Sequence, residues 1–279
     1  MTAELARSHD YCRRVARTRA KNFYYSFLLL SAQQRRAMCS IYAFMRYCDD
    51  LSDEPGANRA ALDRWRAELE DALQGRYSQH PVWPAFHYTV RRFGIPEQYF
   101  RDMIHGVASD LEPRRIQTFE ELYRYCYQVA SVVGLTIIHI FGFDTPSALP
   151  LAEKCGVAFQ LTNILRDIRE DAERGRIYLP AEDLRRLGVT EEDLRSGNRT
   201  DAVQRLMGFE AQRARLYYDE SRPLLDRIHP RSKPSLLALI SIYSRLLDRI
   251  ERKKYDVFTR RIQLSPIEKS WIVLRALVG

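Results

Sequence analysis

The sequence predicts an all-α fold. Apolar residues recur at intervals of three and four almost throughout, and strict apolar–polar alternation is scarce. Glycines and prolines then divide the 279 residues into helical stretches of roughly ten to twenty-five residues.

Taken in order, the breaks fall at Pro55-Gly56, Gly75 to Pro84, Gly94-Ile-Pro96, Pro113, Pro146 to Pro150, Gly175 to Pro180, Gly197 and Pro230 to Pro234. The stretch before the first break carries Asp49 and Asp53 within Arg46-Tyr-Cys-Asp-Asp-Leu-Ser-Asp-Glu54. Further on, Tyr123 to Phe143 is apolar nearly all round after Val129, with small residues at Ala130, Ser131 and Gly134. A helix without a polar face is buried. It is either a closely packed core helix or the wall of a groove for a long apolar ligand. Glycine inside a helix costs about 1 kcal/mol relative to alanine, so Gly134 needs close packing or ligand space. In the next stretch Gln160, Asn163, Asp167 and Asp171 share one helical face within an otherwise apolar surround from Val157 to Leu165. The last stretch, Ile267 to Val278 with Trp271 and Leu274, either packs on the domain or lies on a membrane. No linker, repeat or low-complexity segment interrupts the pattern, so one domain over residues 1–279 is expected.

The net charge of +8 attracts anions: nucleic acid, anionic lipid or phosphorylated small molecules. Short basic clusters stand at Arg252-Lys253-Lys254 and Arg260-Arg261. Five cysteines (Cys12, Cys39, Cys48, Cys126 and Cys155) show no C-x-x-C spacing, and the histidines form no H-x-x-x-H pair. Neither a disulfide framework nor a zinc site is expected, and a cytoplasmic location follows. The polar N-terminus is no signal peptide, and the longest uncharged run, Gln128 to Phe143, is short for a bilayer. Any membrane contact is therefore peripheral, at the inner face of the cell membrane.

Asp49 with Asp53, and Asp167 with Asp171, are carboxylates four residues apart on helix-like segments. Each pair aims two oxygens at one point, and like charges at this spacing repel. A cation offsets that repulsion. Mg²⁺ suits such pairs, because it is held by one or two carboxylates plus substrate phosphates. Buried polar groups need partners, which for Gln160 and Asn163 a metal–phosphate cluster supplies; a helix–helix hydrogen-bond network is the plainer alternative. Arg46, Arg166 and Arg176 accompany the clusters, and guanidinium groups suit phosphate oxygens. No P-loop, G-x-G-x-x-G or G-x-S-x-G is present. The chemistry that remains is metal-assisted loss of diphosphate from an apolar substrate inside a helical cavity. Tyrosine-rich stretches such as Phe23-Tyr-Tyr25 and Tyr123 to Tyr127 suit a wall that shields a carbocation.

Several segments resemble the squalene/phytoene synthase family over nearly the whole chain. They are Lys21-Asn-Phe-Tyr-Tyr-Ser-Phe27, Ile41-Tyr-Ala-Phe-Met-Arg-Tyr-Cys-Asp-Asp50, Tyr125-Cys-Tyr-Gln-Val-Ala-Ser-Val-Val-Gly134, Phe159-Gln-Leu-Thr-Asn-Ile-Leu-Arg-Asp167, Arg174-Gly-Arg-Ile-Tyr-Leu-Pro180 and Tyr255-Asp-Val-Phe258. The resemblance implies an isoprenoid synthase helical bundle around a central apolar cavity, and a Mg²⁺-dependent prenyltransferase. Such enzymes join two prenyl diphosphates head to head through a cyclopropylcarbinyl diphosphate. On this sequence Asp49, Asp53, Asp167 and Asp171 would hold Mg²⁺, or Mn²⁺ in its place. Arg46, Asn163, Arg166 and Arg176 would contact diphosphate, with Tyr42, Gln160 and Tyr243 near the reacting ends and Lys21 also binding substrate. Tyr127 is the candidate for proton abstraction, with the released diphosphate as the alternative base. Asn22 and Ser131 depart from the family pattern, where serine and glycine are usual.

The leading expectation is condensation of two farnesyl diphosphates to presqualene diphosphate or squalene, in the manner of bacterial presqualene diphosphate synthases. Phytoene synthesis from two geranylgeranyl diphosphates is the rival, and a non-catalytic scaffold the rival from another class. A nucleic-acid partner is not expected, because the acidic pairs face inward. NADPH use, and whether the protein is a monomer or a homodimer, are left open by the residues.

Overall fold

The structure, a computed structural model, describes residues 2–20, 23–53, 57–111 and 115–278, without the side chains of Asp53 and Val278. The described residues are helical with no β-strand; two isolated bridges join Arg115 to Ile177 and Phe143 to Ile228. The expected break at Pro55-Gly56, Pro113 and the Lys21-Asn22 positions lie outside the described residues.

Caps set the helix ends. Thr2 accepts from the Leu5 amide to start α1 (Ala3–Arg19). A short α2 (Phe23–Phe27) leads into the long α3 (Ala32–Asp53). Asn58 caps α4 (Arg59–Leu73). Next, α5 (Trp83–Phe93) stops at Gly94, whose left-handed φ of 59° suits glycine. After it come α6 (Gln98–Ala108) and α7 (Phe119–Cys126), the latter capped by Thr118.

The run expected as one helix from Tyr123 to Phe143 is built in three pieces. Cys126 ends α7, residues Tyr127–Ser131 form one π-helical turn, and α8 covers Val132–Phe141. The wider turn lies where α9 (Ala148–Glu173) crosses it. A Cβ on Gly156 of α9 would lie 2.5 Å from the Ser131 Cα, so only glycine lets the two backbones approach this closely. Ser131 donates its hydroxyl to the Glu153 carbonyl at 2.8 Å across the same crossing. Gly134 answers to both of its expected reasons. Its missing Cβ would stand 3.0 Å from the Ala152 carbonyl oxygen, and the residue also lines the central cavity.

The chain continues through α10 (Ala181–Leu187), α11 (Glu191–Arg195), α12 (Asp201–Ser221), α13 (Lys233–Arg252) and α14 (Pro266–Val278). One buried cluster centres on α3, α5 and α6, where Phe44 meets Phe86 at 4.5 Å and Trp65 at 5.6 Å between ring centroids. The other centres on α9, α12 and α13. All five cysteines are free and buried. No described helix is long and apolar enough to cross a membrane.

Candidate active site

A cavity of about 690 Å³ opens among α2, α3, α6, α7, α8, α9 and α13. Its depth is apolar: Phe27, Met38, Met103, Ile137, Leu236 and Leu239 stand there. Its mouth is polar, because α3 and α9 bring their acidic segments to the same rim. Helical spacing does this locally. Tyr42, Arg46 and Asp49 follow one another at three and four residues on α3, and Gln160, Asn163, Asp167 and Asp171 do so on α9. All seven line the cavity. Arg166 and Arg176 join them, and Tyr243 comes from α13.

The two acidic segments are tied directly. Arg176, in the turn after α9, donates to the Ser52 carbonyl near the end of α3 at 3.4 Å. Arg166 pairs with Asp167, its Nε at 2.8 Å from Oδ1. Burial works against the Arg166 charge, and Asp167 beside it more than offsets this, so its pKa rises. Arg46 is paired with Asp50 through Nη2, while its buried Nε has no hydrogen-bond partner. Asp171 is pushed up to about 7, chiefly by withdrawal from water and next by the Asp167 charge, against the pull of Arg176. Burial pushes Tyr42 up to about 12.

An aromatic wall stands between mouth and depth. Phe159 stacks on Tyr243 at 4.2 Å with an interplanar angle of 7°. Phe23 lies 5.8 Å from Tyr243 and 6.5 Å from Tyr42. Such faces suit a cation held in a dry site. Of the tyrosine-rich stretches, Phe23 and Tyr125 line the cavity; Tyr24, Tyr25, Tyr123 and Tyr127 are not among its lining residues.

Tyr127 therefore sits apart from the place expected of a proton acceptor. The π-helical turn begins at this residue and turns its phenol toward Asp102, Glu153 and Tyr99, the groups that, after burial, raise its pKa. Tyr125 takes the cavity-facing position instead. Its hydroxyl donates to Asp110 Oδ2 at 2.9 Å, and the Tyr178 hydroxyl donates to Oδ1 at 2.9 Å. Asp53 belongs to α3, but its side chain lies outside the described residues, as does Lys21.

Asp110, Glu170, Arg174 and Arg261, all lining the cavity, escaped the sequence reading. Asp110 continues a face of α6 through Met103 and Val107, a spacing that was readable but carried no second acid. Glu170 adjoins Asp171 in sequence. Arg261 belongs to a basic pair noted only as charge; here it reaches Asp167 at 3.0 Å and Glu170 at 3.3 Å.

The residues fit a divalent cation bound together with phosphate. The Asn163 Oδ1 is buried without a hydrogen-bond partner, on the face that carries Asp167 and Asp171. An orphaned acceptor there is satisfied by a cation or a donor on the ligand. Among the described residues no three carboxylate, histidine or cysteine side chains converge on one point.

The sequence profile of squalene/phytoene synthases matches residues 10–268. The chain belongs to the squalene/phytoene synthase family. It is 39% identical over 274 residues to phytoene synthase 1 of Arabidopsis thaliana, covering 95% of this chain and 65% of that one. It is 40% identical over 274 residues to phytoene synthase 2 of Solanum lycopersicum, covering 95% and 88%. Among solved structures, a dehydrosqualene synthase with a bound ligand superposes with a TM-score of 0.92 at 30% identity, covering 99% of this chain and 97% of that one. The squalene synthase HpnC of Alicyclobacillus acidocaldarius gives 0.85 at 32% identity, covering 92% and 97%. The family's members are prenyltransferases that join prenyl diphosphates head to head, typically with a divalent metal. The helical architecture of the chain is that of terpenoid synthases.

Proposed function

We propose that this chain, as one domain, condenses two farnesyl diphosphates head to head in the presence of Mg²⁺ and gives presqualene diphosphate, or squalene where a hydride donor such as NADPH completes the second step. The observation that carries the reading is the polar face of Gln160, Asn163, Asp167 and Asp171 at the mouth of an apolar cavity, with the Asn163 oxygen unpaired. Asp49, Asp53, Asp167 and Asp171 would hold the metal, with Mn²⁺ as a substitute. When bound, it neutralises charge developing on the leaving diphosphate. Arg46, Arg166, Arg176 and Arg261 bind the phosphate oxygens; each guanidinium already lies at the mouth. Tyr42, Phe23, Tyr243 and Phe159 shield the allylic cation from water and stabilise it through their ring faces. The apolar depth holds the two chains side by side, so that the double bond of one meets the cation of the other.

Phytoene synthesis from two geranylgeranyl diphosphates is the second reading, favoured by the relatives named phytoene synthase. The neighbours named dehydrosqualene and squalene synthase favour the first. The partners in either reading are the prenyl diphosphates and a membrane surface that receives the apolar product. Labelled C15 and C20 diphosphates, offered together with Mg²⁺ and with or without NADPH, decide by product mass. Recovery of both substrates unchanged would sink the proposal.

A further inference from the structure

Arg46 is held from one side and left open on the other. Its Nη2 donates to Asp50, four residues further along α3, while its buried Nε has no hydrogen-bond partner. Asp50 is itself shared. Arg19, the last residue of α1, donates from Nη2 to both Asp50 oxygens, at 3.0 and 3.2 Å. One carboxylate thus lies between guanidinium groups from two helices, and two cations against one anion leave the trio positive. Burial works against the Arg46 charge, and Asp50, ahead of Asp49, more than offsets this, so the Arg46 pKa rises.

Helix geometry gives the two neighbouring carboxylates different parts. At about 100° per residue, Asp49 falls about 60° to one side of Arg46 and Asp50 about 40° to the other. Asp49 lines the cavity, whereas Asp50 and Arg19 are not among its lining residues. A free arginine side chain samples many rotamers, and ordering it when a ligand arrives costs affinity. A side chain fixed in advance avoids that cost, provided that the atoms meant for the ligand stay unoccupied. Arg46 meets both conditions: Nη2 is taken, and the buried Nε–H at the mouth is free. A buried donor left unpaired is costly, and an acceptor from outside the chain removes the cost. The plainer role for the trio is a brace between α1 and α3. Arg19 is nearly half exposed, and ion pairs of that kind contribute little to stability. A brace also leaves the orphaned Nε unexplained.

We propose that Asp50 is a positioning residue: backed by Arg19, it holds Arg46 so that the Nε–H is presented to a diphosphate oxygen at the cavity mouth. Asp50 is then no metal ligand, although it adjoins Asp49 in sequence. The inference rests on the diphosphate reading given above and adds to it a carboxylate that strengthens the binding of an anion. That role is recognised by its sign. Asp50→Asn makes the mouth more positive, so Coulomb attraction alone would tighten the grip on diphosphate. Loss of positioning loosens it.

The test uses the full chain and two probes: inorganic diphosphate with Mg²⁺ present, by calorimetry, and Mn²⁺ alone, by electron paramagnetic resonance. Asp50→Asn should weaken diphosphate binding about tenfold, the worth of one charge-assisted contact, and Mn²⁺ binding by no more than about threefold. Asp50→Glu keeps a carboxylate within reach of Arg46 and should recover most of the loss. In an Arg46→Gln background Asp50→Asn should cause no further loss, because its effect passes through that arginine. A cooperative melt checks that each variant is folded. Equal or tighter diphosphate binding by Asp50→Asn overturns the proposal, as does a loss that adds in full to that of Arg46→Gln. A fall in Mn²⁺ binding as large as that of Asp49→Asn would make Asp50 a metal ligand and overturns it too. Both probes are read without turnover, so a protein that passes these tests yet forms no product counts only against the proposed reaction. Product formed by a parent whose Asp50→Asn variant binds diphosphate normally counts only against the positioning role.

Discussion

Gly156 of α9 faces Ser131 at backbone contact. A Cβ on Gly156 would lie 2.5 Å from the Ser131 Cα, 2.8 Å from its nitrogen and 2.9 Å from the Ala130 oxygen. All three are main-chain atoms, so no side-chain rotation relieves the clash. Gly156→Ala gains about 1 kcal/mol in helix propensity but must separate the two helices. We expect a net loss of about 1–3 kcal/mol by urea denaturation. An unchanged midpoint would show that the π-helical turn yields freely.

Asp167 and Asp171 repel each other in the absence of a cation, and burial keeps the Asp171 carboxyl up at about 7. Asp171→Asn removes the repulsion and also removes a proposed metal ligand. In metal-free buffer the variant should melt above the parent, while turnover with Mg²⁺ falls by a factor of about a hundred to a thousand. A lower melting temperature without metal contradicts this reading.

Arg261 now spends its guanidinium on Asp167 and Glu170. An incoming diphosphate offers it a more highly charged partner on the same rim. Arg261→Gln should raise KM by about tenfold, the worth of one charge-assisted contact, and change kcat by no more than about twofold. Equal KM values would place Arg261 outside the phosphate site.

Tyr125 and Tyr127 are separated by one residue and by opposite surroundings. Tyr125→Phe removes one of the two phenol donors on Asp110 and should cost about 1–2 kcal/mol along with turnover. Tyr127→Phe, on the side away from the cavity, should stay within about 0.5 kcal/mol of the parent and retain its activity. Loss of cyclopropyl product in Tyr127→Phe alone would return the proton-accepting role to that residue.

The pH dependence of stability has a buried source in Glu210. Arg213 Nη1 serves both Glu210 oxygens at 2.8 Å and Asp183 Oδ2 at 2.9 Å, and the guanidinium carbon Cζ lies 4.1 Å from the centre of the Phe119 ring. Two protons on one nitrogen face three acceptors. Burial, the largest influence, pushes Glu210 up to about 7 despite the Arg213 charge. The folded protein thus holds a proton here that the unfolded chain releases near pH 4.5. Stability contributed by this site should fall as pH rises from about 4.5 to about 7, and level off beyond. Glu210→Gln should flatten that slope in denaturation curves collected across the window.

The helices and the polar faces of α3 and α9 were readable because both rest on local periodicity. Residues three and four apart share a side whatever the rest of the chain does. That rule alone joined Arg46 to Asp49, and Gln160 to Asn163, Asp167 and Asp171, while the surrounding motifs named the family and with it Tyr42. Facing α3 to α9 across a cavity needed the packed structure, as did bringing Asp110 and Arg261 to the same rim from distant parts of the chain. The choice of Tyr125 over Tyr127 also belongs to packing. A π-helical turn has no clear apolar period, and this one lies where the approach of Gly156 meets Ser131. For α14 the sequence left two sides open, core or membrane, and the tertiary structure divided them by covering one face and leaving the other bare. Periodicity acts within a segment, while the contacts between segments decide which faces meet and which remain for something else.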